Sequence, residues 1–444
     1  MDIDTSLLGP EVNQIIHSPS QKTQKTTVDV YLSTIDYDVT IAEVASVEVL
    51  KDYNSNITDY IVVEILLPMG DFVKEIYPQR NNLEMTIVTA RGTKSSEQRY
   101  KAVILGSSEG VIGSRYTNTS RRELNKNEYA RVRLQCINRQ VEVLRSVSAS
   151  GIFRDSTVLD VINSTLTADI KDNLVVGESI NPAMSITTPN NDRLYDHILV
   201  PSGTNVLDIP SFLQNTVYGV YNGNIGTYLA TYNDRKNGVD NYIDTIFVYP
   251  LYNTELAAVG TKNLVIYAVP NKKYEMIDNT YIIDGDSIKI LAGDSSKLID
   301  DGESSYMNTG SGFNTLDSNS VMNRALTVTE EGVVADPEAT VVASSIAERD
   351  DGMNFAPSKD ATDNMYRLRS EIMRNSGSLL QMEWRFSNDE HLYPGMPVVY
   401  VFLDGDSNVV RLNGVLQSVY SLTNVSKEMT VSILNIFLDK YTFE

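Results

Sequence analysis

Cysteine and histidine are almost absent from this chain: Cys136 stands alone, and the histidines are His17, His197 and His391. Cys136 alternates with Ala130, Val132 and Leu134, the pattern of a small buried hydrophobe, so it carries no redox argument. No two histidines share a metal-ligand spacing such as H-E-x-x-H, and no zinc site is expected. No G-x-S-x-G elbow, P-loop lysine motif or dinucleotide fingerprint G-x-G-x-x-G is expected, which sets aside the chemistries they support. Apolar runs are short. Leu264–Val269, among the longest, falls far below the roughly 20 residues of a membrane-spanning helix. Met1-Asp2-Ile3-Asp4 offers no basic region before an apolar one, so no secretory signal is expected; synthesis reads as cytoplasmic, and the N-x-S/T triplets at Asn56, Asn118 and Asn424 read as chance.

Positive charge is also scarce. A formal charge of −21 disfavours tight binding to phosphate backbones, whose affinity comes from clustered Lys and Arg, so no sequence-specific nucleic acid is expected. The charge is unevenly placed. Residues 300–365 hold thirteen acidic side chains against Arg324, Arg349 and Lys359, a net of −10. Residues 74–145 hold fourteen basic against seven acidic, a net of +7. Two solvated faces account for this blandly; a head-to-tail contact between copies, one patch meeting the other around a ring, is the sharper reading.

What is present is β-pattern. The 444 residues suffice for two to four domains with their own cores. Residues 1–27 mix Ser, Gln, Lys and Thr without a period and read as an N-terminal arm, outside the core, that orders only against a neighbour. Strands are expected at Thr27–Ser33, Ala45–Leu50, Tyr60–Leu67, Leu83–Val88, Arg99–Leu105, Glu128–Cys136 and Val141–Val147. Leu83, Met85 and Ile87 face one way and Glu84 and Thr86 the other, as in a half-buried antiparallel sheet. Turn-rich pieces such as Asp52–Asn56 separate these runs, which suggests a sandwich or barrel.

Near residue 155 the period becomes helical: Asp155 or Ser156 is the expected N-cap of a short helix burying Val158, Val161, Ile162 and Leu166. A second helix contains Ile209, Phe212 and Leu213, with Pro210 in its first turn. Strand-like runs follow at Tyr228–Tyr232, Thr245–Tyr249, Leu264–Val269, Tyr281–Ile283 and Ser287–Leu291. The acidic stretch that follows is too long for an ordinary loop and reads as an extended excursion along a partner. Tyr366–Arg374 suits a short helix. Strands return at Leu380–Phe386, Val398–Leu403, Val409–Val419 and Met429–Phe437. The expected division is therefore an arm at 1–27, a first β-barrel domain at 28–126, a second at 127–151 plus 376–444, an inserted small α+β domain at 152–299, and an extended acidic segment with a short helix at 300–375. The fold class is mainly β, with two tube-type antiparallel barrels.

No catalytic, cofactor-binding or metal-binding residue is assigned. Asp196-His197 forms no triad by itself. Asp404-Gly405-Asp406-Ser407-Asn408 starts like a calcium loop, but Val409 and Val415 stand where an EF-hand needs Gly and Glu, so a hairpin turn is expected there and at Asp284-Gly285-Asp286. A glycosidase pair of carboxylates needs no sequence motif and stays open at this point.

The order of segments resembles the tail or baseplate hub proteins of contractile-tailed bacteriophages and related injection machines. The resemblance lies in Phe72–Val88 (FVKEIYPQRNNLEMTIV); in Tyr129–Thr165, where a barrel strand leads into FRDSTVLDVINST; in Ile198–Tyr218 (ILVPSGTNVLDIPSFLQNTVY); in Thr227-Tyr228-Leu229 and Phe247-Val248-Tyr249; and in Leu392–Met396 with Leu412–Val415. Together these span most of the chain. The resemblance implies a non-enzymatic homotrimer without cofactors, in which each subunit supplies two similar barrels, so that three chains form a pseudo-sixfold ring. Such a ring would join a sixfold tail tube protein to a threefold central spike protein, with tape measure and baseplate wedge proteins as further neighbours. It implies a virion location, passage of DNA through the lumen and no membrane-spanning segment. Two other readings differ in class. The 25 tyrosines would suit a receptor- or glycan-binding β protein of the virion, and a cell-wall hydrolase would need two convergent carboxylates about 5–10 Å apart in a cleft.

Overall fold

The computed structural model of the chain describes residues 8–18, 26–35, 38–91, 94–105, 129–169, 182–233, 242–259, 262–270, 277, 279–284, 287–299, 306–308, 325–329, 332–336, 354–356, 366, 370, 373–374, 377–424 and 429–439. The protein is mainly β, as its alternation predicts, and one large mixed sheet of 14 strands dominates it.

The first half of that sheet follows the clean alternation of residues 26–138. Its strands are β1 (Thr26–Ser33), the short β2 (Asp38–Val39), β3 (Glu43–Asp52), β4 (Tyr60–Pro68), β5 (Leu83–Arg91), β6 (Lys94–Ile104) and β7 (Tyr129–Asn138). They lie in the order β2-β1-β5-β6-β7-β4-β3, every pair antiparallel. Val28, Val30, Ile65, Leu83, Met85, Val132 and Leu134 share one buried core, while Asp29, Glu84 and Arg131 face out. Each such side chain contributes about 1.5–3 kcal/mol on full burial. Helical turns at Met69–Asp71, Phe72–Ile76 and Tyr77–Gln79 link β4 to β5 and add Met69, Phe72 and Ile76 to that core.

Three expectations need correction here. β7, expected to join the C-terminal strands, pairs instead with β4 and β6, its Cys136 opposite both Ile61 and Ala102. Its outward Arg131 bonds Glu64, and Arg133 lies 3.7 Å from Glu48, so the outer face also matches this neighbourhood. Val141–Val147 is not a strand: the Asn138 side chain accepts the Gln140 N–H at 2.8 Å and starts helix α2 (Arg139–Leu144), which buries Val141 and Leu144 three positions apart. Nor are residues 8–18 a loose arm. Helix α1 precedes the sheet at Pro10–Ile16 and lays Val12 and Ile15 against Tyr267, Val269, Leu291 and Val401 of the same chain.

The inserted unit contains β8 (Ser148–Ser156), helix α3 (Val158–Ser164), β9 (Ala183–Ile186), β10 (Tyr195–Asn205), helix α4 (Ile209–Asn215), β11 (Ile225–Asn233) and β12 (Tyr242–Pro250). The cap of α3 is Thr157, one residue past the expected positions; Thr157 and Asp160 exchange reciprocal hydrogen bonds in a capping box, and Asp155 holds φ 46°. Helix α4 has Pro210 in its first turn, as the sequence predicts. β11 and β12 are buried on both faces: Leu229, Ile246 and Val248 pack with α3 and α4, while Tyr228, Phe247 and Tyr249 pack into the C-terminal core.

β13 (Leu264–Ala268), β14 (Tyr281–Asp284) and β15 (Ser287–Ile299), expected within the insert, belong to the second half of the large sheet. After them come β16 (Tyr306–Asn308), β17 (Ala325–Thr329), β18 (Gly332–Asp336) and β19 (Asn354–Ala356), then β20 (Gly377–Arg385), β21 (Pro397–Leu403), β22 (Val409–Asn424) and β23 (Met429–Asp439). The pairings β22–β21–β13–β15–β20–β23 return to β22 and so close on themselves. Trp384, Met382, Leu434, Ile436, Leu416 and Val398 fill that ring. β22 continues past it to pair Ser418–Asn424 with Asp52–Ser46 of β3, fusing the two halves into one sheet.

Of the acidic segment, β16 pairs with β19 in parallel and β17 with β18 as a hairpin; the rest of residues 300–365 lies outside the described residues. In the expected helix at 366–374, Tyr366, Ser370, Met373 and Arg374 are helical.

Candidate functional site

The most charged interior of the protein lies where its three parts meet. Lys51 ends β3, Asp59 precedes β4, Asp389 and Glu390 occupy the 3-10 turn Asp389–His391 after β20, and Tyr228 and Tyr242 come from β11 and β12. All of these but Tyr228 line a half-open cavity of about 120 Å3 together with Ser421, Thr423, Thr231 and Gln98.

Each charged group is tied to a different part of the fold. Lys51 Nζ lies 3.2 Å from Asp389 Oδ2, with the two side chains 14% and 17% exposed, and also donates to the Asp389 carbonyl at 3.3 Å. Ser421 of β22 donates to the same carboxylate at 2.9 Å and is joined through Ser432 to Ser387. Tyr228 donates to Asp59 Oδ1 at 2.8 Å, and Tyr242 to Glu390 Oε2 at 3.1 Å. Burial alone would lower the Lys51 pKa, but Asp389, Asp59 and Glu390 outweigh it and hold the ammonium charged beyond its ordinary range. Burial pushes the Asp59 carboxyl up, against the opposing pull of Lys51 and the Tyr228 hydroxyl.

The arrangement is that of a joint. Asp389, Asp59 and Glu390 are each engaged by a side chain of another element. Beside the cluster, Tyr249 of β12 donates to the Tyr53 carbonyl at 2.6 Å, and Leu229 N–H bonds the Ile57 carbonyl at 2.7 Å, locking the insert to the β3–β4 connection. Gly395, at φ 70°, passes directly over the Tyr249 ring, where a Cβ would sit 2.6 Å away; the Pro394-Gly395 turn thereby clamps the same tyrosine from the C-terminal half. Sequence reasoning missed this cluster because its members are scattered from residue 51 to residue 421. Lys51 after the apolar pair Val49-Leu50, followed by Asp-Tyr, is the one local signal.

The residues weighed from sequence are not brought together. Asp196 and His197 are exposed on β10, His197 opposite Arg154. His17 is exposed after α1, and His391 closes the 3-10 turn beside the cluster. Among the described residues no group of three or more His, Cys, Asp or Glu is placed to hold a metal ion. Cys136 is buried against Met85, its sulfur 3.2 Å from the thioether, and burial pushes its thiol up to about 12. Asp404 accepts the N–H groups of Asp406 and Asn408 at 3.0 and 2.7 Å, which makes a closed turn between β21 and β22. Asp284 and Ser287 pair across the second expected turn, while Gly285 and Asp286 lie outside the described residues. The expectation that no G-x-S-x-G occurs needs correction: Gly106-Ser107-Ser108-Glu109-Gly110 has that spacing and lies outside the described residues, but it follows an antiparallel strand, whereas the elbow joins a strand of an α/β sheet to a helix. No helix among the described residues is long and apolar enough to cross a membrane.

Against solved structures the chain is similar to a tail protein from Neisseria meningitidis MC58, with 9% identity, 93% of this chain and 96% of that one covered, and a TM-score of 0.45. It is also similar to the 43 kDa tail protein of prophage MuSo2 from Shewanella oneidensis, with 8% identity, the same two coverages and a TM-score of 0.47. No curated protein matches the sequence. The family model described as bacteriophage PBS1 gene 109 protein matches residues 52–328, more than half the chain and a span that runs from the end of β3 through the insert into the acidic segment, and the protein belongs to that family.

Proposed function

We propose that the protein is a non-catalytic structural subunit of a phage tail baseplate: a homotrimeric hub in which each chain supplies two wall segments, so that three chains make a pseudo-sixfold ring between the tail tube and the central spike. The observation that carries this reading is the fusion of two half-sheets, each with its own core and the second closed on itself, by the β3–β22 pairing. One polypeptide thus supplies two joined wall elements, which is what a converter between sixfold and threefold symmetry requires. The charged joint at Lys51 fits the same purpose, because it ties both halves and the insert at one point. Tube, spike, tape measure and wedge proteins are the partners this role entails, and the virion is its location. A two-barrel division, now with β1–β7 as one unit and β13–β15 with β20–β23 as the other, belongs to the same proposal, as does a lumen poor in unpaired Lys and Arg that repels DNA phosphates across a Debye length of about 8 Å. Part of the tyrosine content, which motivated a recognition role, is committed to packing: Tyr53, Tyr100, Tyr221, Tyr228, Tyr249, Tyr267 and Tyr400 are all buried.

Light scattering on the purified protein, followed by low-resolution imaging, tests the reading. A monodisperse trimer with a central opening is the expected result. A monomer that cleaves glycans would overturn it.

A further inference from the structure

The cavity at the joint has walls of two kinds. On one side Val28, Val47, Val49, Ile61 and Ile87 come from β1, β3, β4 and β5 of the first half. On the other stand Lys51, Asp59, Asp389 and Glu390. Three carboxylates thus face one ammonium, and Lys51 is the only Lys or Arg on the cavity wall. Charge left unmatched away from bulk water is costly, and a cation brought in beside it is held more strongly than at the surface.

The hydrogen bonds of the joint leave acceptors free. Tyr228 occupies Oδ1 of Asp59 and Tyr242 occupies Oε2 of Glu390, while Asp59 Oδ2 and Glu390 Oε1 accept from no described residue. Tyr53 adds a hydroxyl in the same position. It continues the row Val47, Val49, Lys51 along one face of β3, is 1% exposed, and meets the Tyr228 ring edge to face at 5.0 Å. Its Oη has no partner among the described residues, and after burial the charges of Asp59 and Asp389 raise its pKa, so the hydroxyl lies toward the same carboxylates. A metal ion does not match this set: among the described residues no three His, Cys, Asp or Glu are placed to hold one. A primary alkylammonium does. Its three N–H donors suit separate carboxylate oxygens, and its methylene stem suits the valines, as a lysine side chain divides itself between polar and apolar surroundings.

We propose that this cavity is a binding pocket for a primary alkylammonium, with Asp59 and Glu390 holding the nitrogen and Val47 and Val49 the stem. The nitrogen comes from a free amine or from a lysine of a neighbouring copy, and both present the same chemistry. The pocket is complete within one chain, so it goes beyond the hub reading and does not depend on it. Charge-assisted hydrogen bonds to the two carboxylates give affinity, and the apolar wall selects against a bare inorganic cation.

The full-length chain is titrated with n-butylammonium chloride by calorimetry at constant ionic strength, beside tetramethylammonium chloride and 1-butanol. Saturable binding of one butylammonium per chain is expected. Neither comparison compound should bind, since the first has no N–H and the second no charge. Glu390→Gln and Asp59→Asn keep an oxygen for Tyr242 and Tyr228, and each should weaken binding about tenfold. Binding that is absent, or that both variants leave unchanged, overturns the site. If a variant loses its fold, the wild type still decides: with methyl-labelled valines, the butyl protons are expected to show nuclear Overhauser contacts to Val47 and Val49, and contacts confined to other valines overturn the pocket. Repeating the titration on dilute, dissociated chain and on concentrated, assembled chain reads the source of the nitrogen. A pocket open in both takes a free amine; one open in the first and filled in the second takes a lysine of a neighbouring copy. A monomer that binds butylammonium keeps this pocket while the hub reading falls, and a trimer whose chains bind none in either state does the reverse.

Discussion

The two halves of the large sheet reach a buried core by different routes. In the first half, β1 to β7, all neighbours are antiparallel, most connections are short, and the core is aliphatic, with Tyr100 as its one buried tyrosine and Phe72 as its one buried phenylalanine. In the second, β13 runs parallel to both β15 and β21, the strands come from two stretches far apart in the chain, and the core is aromatic: Trp384, Tyr281, Tyr249, Tyr252 and Phe437. Long-range closure orders more chain before it gains contacts, and large rigid rings compensate with area. Tyr281 and Trp384 meet edge to face at 5.6 Å, and Tyr252 and Phe437 at 5.1 Å.

The strongest way to break this contrast is Trp384→Ala. The indole is fully buried at the centre of the closed ring, and its removal is expected to cost about 3–5 kcal/mol in urea denaturation. Trp384→Phe should cost far less, because the indole N–H has no hydrogen-bond partner among the described residues and its burial already carries a penalty of about 1–3 kcal/mol. Trp384 is the single tryptophan, so its fluorescence reports the second half while far-ultraviolet dichroism reports both. Coincident transitions are expected if β3–β22 makes one cooperative sheet; two separated transitions would show that the halves unfold independently.

Next in size is the joint between the halves. Lys51→Met leaves Asp389 and Asp59 facing each other across a half-open cavity and is expected to cost about 3 kcal/mol. The pH dependence follows from the two shifts. The folded pKa of Lys51 is raised, so its contribution is fully present below the unfolded value of about 10.5 and is lost as pH rises through the folded one. Asp59, raised by burial, has the same sign in a lower window: its ionised form costs stability as pH rises above the unfolded value of about 4, and the cost is relieved as pH falls back through its folded pKa. Urea midpoints measured across pH should therefore fall in alkali for the wild type and not for Lys51→Met. An alkaline limb that survives in the variant would assign the effect to other groups.

The same contrast explains what was legible in the sequence. Wherever an element is fixed by its own alternation, as in Leu83–Ile87 or Val132–Cys136, the strand was readable, because one face of a two-residue period must be dry. Partners were not readable. β7 carries no mark that it pairs with β4 rather than with β23, and β13 and β15 have the same apolar runs whether they sit in the insert or in the ring. Val141–Val147 was misread because Val, Glu, Val mimics alternation, while the decisive group, the Asn138 side chain on the Gln140 N–H, lies just before it. The charged joint stayed hidden for the same reason as the pairings: Lys51, Asp59 and Asp389 are neighbours only after folding.

Smaller effects sharpen the comparison at the boundary of the insert. Thr157→Ala removes one arm of the capping box on α3 and should cost about 1 kcal/mol in thermal or urea unfolding. The Asp160 carboxyl is held below its ordinary range by the Thr157 hydroxyl and N–H, so the loss should be complete at neutral pH and should shrink as pH falls through the depressed folded value. Thr157→Ser, which keeps the hydroxyl, should restore most of it.

The smallest effect is expected on the outer face of the first half. Arg131 bonds Glu64, but the arginine side chain is 61% exposed, and an ion pair in that setting gains little over its hydrated parts. Arg131→Ala is therefore expected to shift stability by no more than about 1 kcal/mol, with the shift disappearing in high salt. If the head-to-tail contact draws on the basic face, the same substitution weakens association of copies while leaving the unfolding midpoint nearly unchanged. A sedimentation series against salt, read beside the denaturation curves, separates the two: charge that serves the sheet moves both, and charge that serves the neighbour moves association alone.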